Sequence, residues 1–92
     1  MTTQVLRVER QGEAFAVQSQ KAEGGQMNKC LIVLQDFGGQ YADRFAAVML
    51  GKNALLRFYP GDVVAVTMRF STNEYEGKVY QDILVTDIAK VG

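Results

Sequence analysis

The hardest constraint on the fold lies in the last third of the chain. Val64, Val66, Met68 and Phe70 are apolar at every even position, while the odd positions between them include Thr67 and Arg69. A period of two is the mark of a strand with one buried face. Taking Glu76-Gly77 as a two-residue hairpin turn places Phe70 opposite Ile83 and Met68 opposite Val85. Both strands then carry their apolar sets to one face with no adjustment of register. Arg69, Tyr75, Lys78, Tyr80 and Leu84 project from the other face. After Thr86 the alternation slips, because Asp87 would point inward, and this predicts a bulge or bend before Ile88.

A second hairpin is read upstream. With Gly38-Gly39 as its turn, Phe37 faces Gln40, Ile32 faces Phe45, Cys30 faces Ala47 and Asn28 faces Met49. Cys30, Ile32, Leu34, Phe45, Ala47 and Met49 then share the core side, and Lys29, Leu31, Val33, Gln35, Arg44, Ala46 and Val48 share the other. Between the hairpins, Asn53 is an N-cap candidate for a helix of barely two turns reaching Phe58, with Ala54, Leu55 and Phe58 as its apolar stripe. Tyr59-Pro60-Gly61-Asp62 suits a type II turn. Near the N-terminus, Val5 to Val8 and Ala14 to Val17 both read as extended. They form either one long strand kinked at Gln11-Gly12 or two pieces, the first an added edge. Gln18 to Gln26 reads as a loop.

An all-β chain of five strands, with one short helix between the third and fourth, has the order of a Greek-key OB-fold barrel. Residues 1–92 are the length of one domain. The predicted core is Ile32, Leu34, Phe45, Met49, Val64, Val66, Met68, Phe70, Ile83 and Val85, with the helix plugging one barrel end. Ten basic residues balance ten acidic ones, so any attraction for a charged partner must come from a local patch. The single cysteine rules out an intramolecular disulfide. No apolar segment of signal-peptide length follows Met1, and no run approaches the ~20 residues that span a bilayer. The expectation is a cytoplasmic protein with no membrane partner.

The run from Met27 to Val91 resembles the OB-folds of bacterial single-stranded-DNA-binding proteins and of the primosomal replication protein N. It is most similar to a small, largely uncharacterised family of that fold in Bacteroides-type bacteria. The residues that carry the resemblance are Met27 to Leu34, Gln40-Tyr41, Leu50-Gly51-Lys52, Pro60 to Val66 and Glu74 to Tyr80. Where those families often place tryptophans, this chain has Met27 and Tyr75. The resemblance implies a barrel that holds single-stranded nucleic acid on one face.

OB-folds grip single strands by stacking bases on aromatic rings and tracking the backbone with lysine and arginine. The candidates are Tyr75, Tyr80, Lys78 and Arg69 on the last hairpin, with Lys29 and Arg44 on the earlier one. Glu74, Glu76 and Asp82 lie among them and repel phosphate. Leu31, Val33, Ala46 and Val48 make the outward face of the second and third strands too apolar for plain solvent. That patch calls for a cover, which is a second copy, another protein or the chain's own N-terminal segment; the expectation is a homo-oligomer interface, a dimer by default. Catalysis has little to work with. The chain has no histidine, Cys30 falls on the inward face, and neither Gly24-Gly25 nor Gly38-Gly39 has the context of a phosphate-binding loop. The expected role is a non-catalytic nucleic-acid-binding module without cofactor or metal. The alternative is a protein-interaction module on the same barrel.

Overall fold

A computed structural model of the chain describes residues 2–18 and 25–92. In chain order these form β1 (Thr2–Gln11), β2 (Phe15–Gln18), β3 (Gln26–Gln35), β4 (Arg44–Leu50), α1 (Lys52–Leu55), β5 (Val63–Tyr75) and β6 (Lys78–Lys90). They lie in one sheet of order β1-β5-β6-β4-β3-β2, and β1 also pairs with β3. The pairings therefore run in a ring: β1 to β5, β5 to β6, β6 to β4, β4 to β3, and β3 back to β1. Every pairing on it is antiparallel except β4–β6, a short parallel ladder of Val48 with Leu84 and Met49 with Val85. This is the OB-fold.

The N-terminal alternative resolves as one bent path. β1 pairs with β5 through Thr2–Arg7, then with β3 through Arg7–Gln11, with a register shift between Val8 and Arg10. The Gly12 N–H donates to the Leu31 carbonyl at 2.8 Å, and β2 continues along the same edge of β3. β1 and β2 are thus two halves of the first barrel strand. Of the expected loop, Gln18 closes β2 and Gln26 opens β3, and residues 19–24 lie outside the described residues.

The core contains Ile32, Leu34, Met49, Val64, Val66, Met68 and Val85, all expected, together with Cys30 and Ala47 on the same face. Leu6, Val8, Ala54, Phe58 and Ile88 complete it. Phe45 and Ile83 pack against this cluster while keeping some exposure. Phe70 is the exception at 40% exposed. It sits where β5 leaves the barrel, meeting Phe45 edge-on with ring centroids 6.4 Å apart.

The first hairpin corrects the expected register while keeping its faces. Ile32 pairs with Ala47, Cys30 with Met49 and Leu34 with Phe45, each partner two residues beyond the one expected. Of the Gly-Gly pair only Gly39 has positive φ, at 75°, whereas Gly38 is extended at 165°. A two-residue hairpin turn of type I′ needs both. The chain instead makes a 3-10 turn, Gly39–Tyr41, inside a longer loop closed by Asp36 N–H to the Asp43 carbonyl at 2.8 Å. Arg7 stacks over the Phe37 ring, 5.0 Å from its centroid, at the loop's root. A slide of two residues leaves every side chain on its original face, because the pleat repeats every two.

The helix is also shorter than expected. Its cap is Gly51, at φ 62°, and Asn53 lies within the helix, its Nδ2 3.5 Å from the Thr86 carbonyl. The helix stops at Leu55, where Leu56 turns extended at φ −69° and ψ 144°, and Pro60 has no N–H to offer the Leu56 carbonyl. The Gln11 side chain takes over: Nε2 donates to the Leu56 carbonyl at 2.7 Å, and Oε1 accepts from the Phe58 N–H at 2.8 Å. Ala54 and Phe58 are buried as expected, but Leu55 is 63% exposed. α1 packs on β3, β4 and β6. The turn before β5 forms as read, with Gly61 at φ 94° and the Asp62 N–H donating to the Tyr59 carbonyl at 3.0 Å. So does the bulge before Ile88: Thr67 pairs with Asp87 and Met68 with Val85, leaving Thr86 as the extra residue.

Candidate nucleic-acid interface

The candidate site is built on the part of the last hairpin that outruns the barrel. Among the described residues, β1 accompanies β5 as far as Met68, and β4 meets β6 only at Leu84 and Val85. Residues 71–81 form a two-stranded arm, exposed along its whole length. Glu76 at φ 52° and Gly77 at φ 77° make the two-residue turn at its tip. The register is the expected one, pairing Tyr75 with Lys78, Asn73 with Tyr80, Ser71 with Asp82 and Arg69 with Leu84. Opposed residues share a face, so Arg69, Tyr75, Lys78 and Tyr80 stand on one side of the hairpin. Tyr75 is 67% and Tyr80 48% exposed.

A groove of about 380 Å³ lies between this arm and the barrel. Lys29, Val48 and Leu50 line it from β3 and β4; Ser71, Asn73, Asp82, Ile83 and Leu84 line it from the arm. The barrel side is mostly aliphatic with one ammonium at its edge. The arm side is polar at Ser71, Asn73 and Asp82 and aliphatic at Ile83 and Leu84, and Asn73 Nδ2 donates to Asp82 Oδ2 there. Such a wall suits a flat ring with polar edges better than it suits a phosphate, because the Asp82 carboxylate repels anions.

The candidate residues distribute unevenly about this groove. Lys29 lines it, and Tyr75, Lys78 and Tyr80 stand on the arm face that continues beyond it. Arg69 is opposite Leu84, whose neighbour on β4 is Val48. Arg44 does not line the groove. It opens β4 opposite Gln35, about 20 Å along the strand from Leu50, and pairs with Glu9 at 3.4 Å.

Leu31 and Val48 form one cross-strand pair of the apolar patch, Val33 and Ala46 the next. Leu31 is 51% exposed. Leu31 and Val33 also line a hollow of about 350 Å³ with Arg10, Gln11 and Gly12. The end of β1 lies beside this patch as a strand neighbour, Arg10 opposite Val33, and does not cover it. The patch and the groove share Val48, so the two candidate surfaces are contiguous.

Asn73 and Asp82 line the groove but are not among the sequence candidates, although the hairpin register already places them on the face of Tyr75 and Tyr80. Leu50 was missed because the two-residue slide hid its pairing with Lys29. Among the described residues, no group of histidine, cysteine, aspartate and glutamate side chains is placed to hold a metal ion, and no helix is long and apolar enough to cross a membrane. Cys30 is fully buried, its Sγ 3.6 Å from Gln11 Nε2.

No family model and no curated protein matches the sequence. Among solved structures, the chain is similar to the second OB-fold domain of replication protein A from Methanococcus maripaludis, with a TM-score of 0.73 at 16% identity. The match covers 97% of this chain and 81% of that one. At that identity the likeness is one of fold.

Proposed function

We propose that this protein binds single-stranded nucleic acid, without catalysis, across the groove and the arm face that continues from it. The observation that carries the reading is the groove itself, with an aliphatic wall ending in Lys29 and, beyond it, two exposed tyrosines beside Lys78. OB-folds bind oligonucleotides on this strand face and in the loops flanking it. The likeness to an OB-fold domain of a replication protein, and the resemblance of Met27 to Val91 to bacterial single-stranded-DNA-binding proteins, support the same choice. Bases stack on Tyr75 and Tyr80, while Lys29, Lys78 and Arg69 face phosphates and Arg44 contributes at longer range. Sequence preference is slight, because every base has a face to stack.

The test is fluorescence anisotropy with a labelled single strand of about thirty nucleotides, longer than one OB-fold's site. Two to four neutralised phosphates give a log affinity that falls with log salt at a slope of about −1.5 to −3. No anisotropy change at low salt would sink the reading.

A second reading is favoured by the exposed Leu31 beside Val48, Val33 and Ala46. In that reading the same face is a protein contact, with a second copy as the default partner. Val33→Glu then lowers the mass seen by light scattering and leaves thermal unfolding unchanged. In the nucleic-acid reading, the mass of wild type is indifferent to that substitution.

A further inference from the structure

The arm carries an open strand edge, and its chemistry is complementary to itself. Among the described residues, Lys78–Asp82 of β6 pair with β5 on one side and with no strand on the other, since the β4 ladder begins at Leu84 and engages Ile83 beside it. Such an edge is a template for another strand. Tyr75 and Lys78 flank the two-residue turn and so exchange both of their backbone hydrogen bonds. It follows that Lys78, Tyr80 and Asp82 spend their backbone groups on β5, while Val79 and Gln81 turn theirs to the open edge; Ile83 already borders the ladder with β4.

We infer that a second copy of this chain docks here, β6 against β6 in antiparallel fashion, about a two-fold axis through Tyr80. Three two-fold registers satisfy the open backbone groups, and the side chains select one of them. Centring on Val79 sets Asp82 against Glu76 of the other copy, which is repulsive. Centring on Gln81 sets Val79 against Ile83 and Lys78 against Leu84, so strand residues of the second copy meet the edge that β4 already occupies, whereas centring on Tyr80 brings only the turn residues Glu76 and Gly77 to that point. Centring on Tyr80 pairs Lys78 with Asp82 of the second copy, twice, and Val79 with Gln81 for the backbone bonds. Tyr80 meets its own counterpart. The Lys78–Asp82 and Tyr80–Tyr80 pairs fall at sites without backbone bonds, where opposed side chains come closest. The Asp82 carboxylate has acceptor capacity beyond the bond from Asn73. The joined arms form one four-stranded ribbon with Tyr75, Lys78 and Tyr80 of both copies on a single face. This interface uses the β6 edge, not the outward face of Leu31 and Val33, although Asp82 and Val48 line the same groove, and it does not depend on nucleic-acid binding.

The test is a charge exchange read by sedimentation equilibrium, with the concentration raised to about 1 mM, where even weak association registers. Wild type is expected to dimerise. Lys78→Asp and Asp82→Lys each place like charges in both pairs and weaken the dimer about tenfold or more. The double exchange, Lys78→Asp with Asp82→Lys, restores it. Tyr80→Cys supplies an independent readout, because Cα atoms at such a site lie about 4.5 Å apart, within disulfide reach. It should cross-link under mild oxidation, whereas Val79→Cys should not. A monomeric wild type overturns the proposal, as does a dimer that ignores both single exchanges or fails to return in the double exchange.

Discussion

The two ends of β5 are one strand with two fates. From Val63 to Met68 its residues alternate between half-buried and fully buried; from Arg69 to Tyr75 every one is exposed. The even side chains of the first stretch enter the barrel core, where they join Leu6, Ile32, Leu34 and Met49. Past Phe70 the side chains stay exposed, and among the described residues backbone pairing with β6 holds the arm without burial. The barrel end carries the stability of the molecule, and the arm end is free to carry chemistry.

Truncation in the barrel should produce the largest effect. Leu34 is fully buried beside Phe45, so Leu34→Ala should cost ~2–5 kcal/mol, seen as a lower urea midpoint at unchanged slope. A cost below ~1 kcal/mol would mean that the barrel is not the stability core. Next comes the clamp from β1. Gln11→Leu removes the partner of the Leu56 carbonyl and of the Phe58 N–H, which water can reach in part, and should cost ~0.5–1.5 kcal/mol. Hydrogen exchange at Phe58 should accelerate more than exchange in β6.

On the arm the effects become local. Gly77→Ala forces a side chain into positive φ where nothing else crowds it, and should cost ~1–2 kcal/mol. The penalty should appear as broadened amide resonances from Asn73 to Tyr80, more than as a shift in global melting. Smallest in stability is Tyr75→Ala, within ~0.5 kcal/mol of wild type. Its oligonucleotide affinity should nevertheless fall by ~1–3 kcal/mol. Equal losses of stability at Tyr75 and Leu34 would erase the distinction between the two regions.

Much of this division is legible in the residues. The even–odd pattern from Val64 to Val85 yields the second hairpin with its register, its bulge and the co-facial set of Arg69, Tyr75, Lys78 and Tyr80. The groove was not legible, since it depends on how Leu50 and Lys29 sit against Asn73 and Asp82. Those contacts join residues far apart in the chain through the short β4–β6 ladder, which leaves no periodic trace.

The first hairpin marks the boundary between what sequence decides and what tertiary structure decides. Sequence alone determined that Cys30, Ile32, Leu34, Phe45, Ala47 and Met49 face inward, because a side chain's face depends only on parity along its own strand. Which partner each one meets was decided by the folded loop from Asp36 to Asp43. A slide of two residues keeps every apolar group buried, so burial cannot choose between the two registers. The choice falls to the Gly38 and Gly39 dihedrals and to contacts such as Arg7 on Phe37, which exist only once β1 has crossed to β3. The arm divides in the same way. Its strands and turn are local, but its exposure arises because β1 and β4 end their pairing with it at Met68 and Leu84.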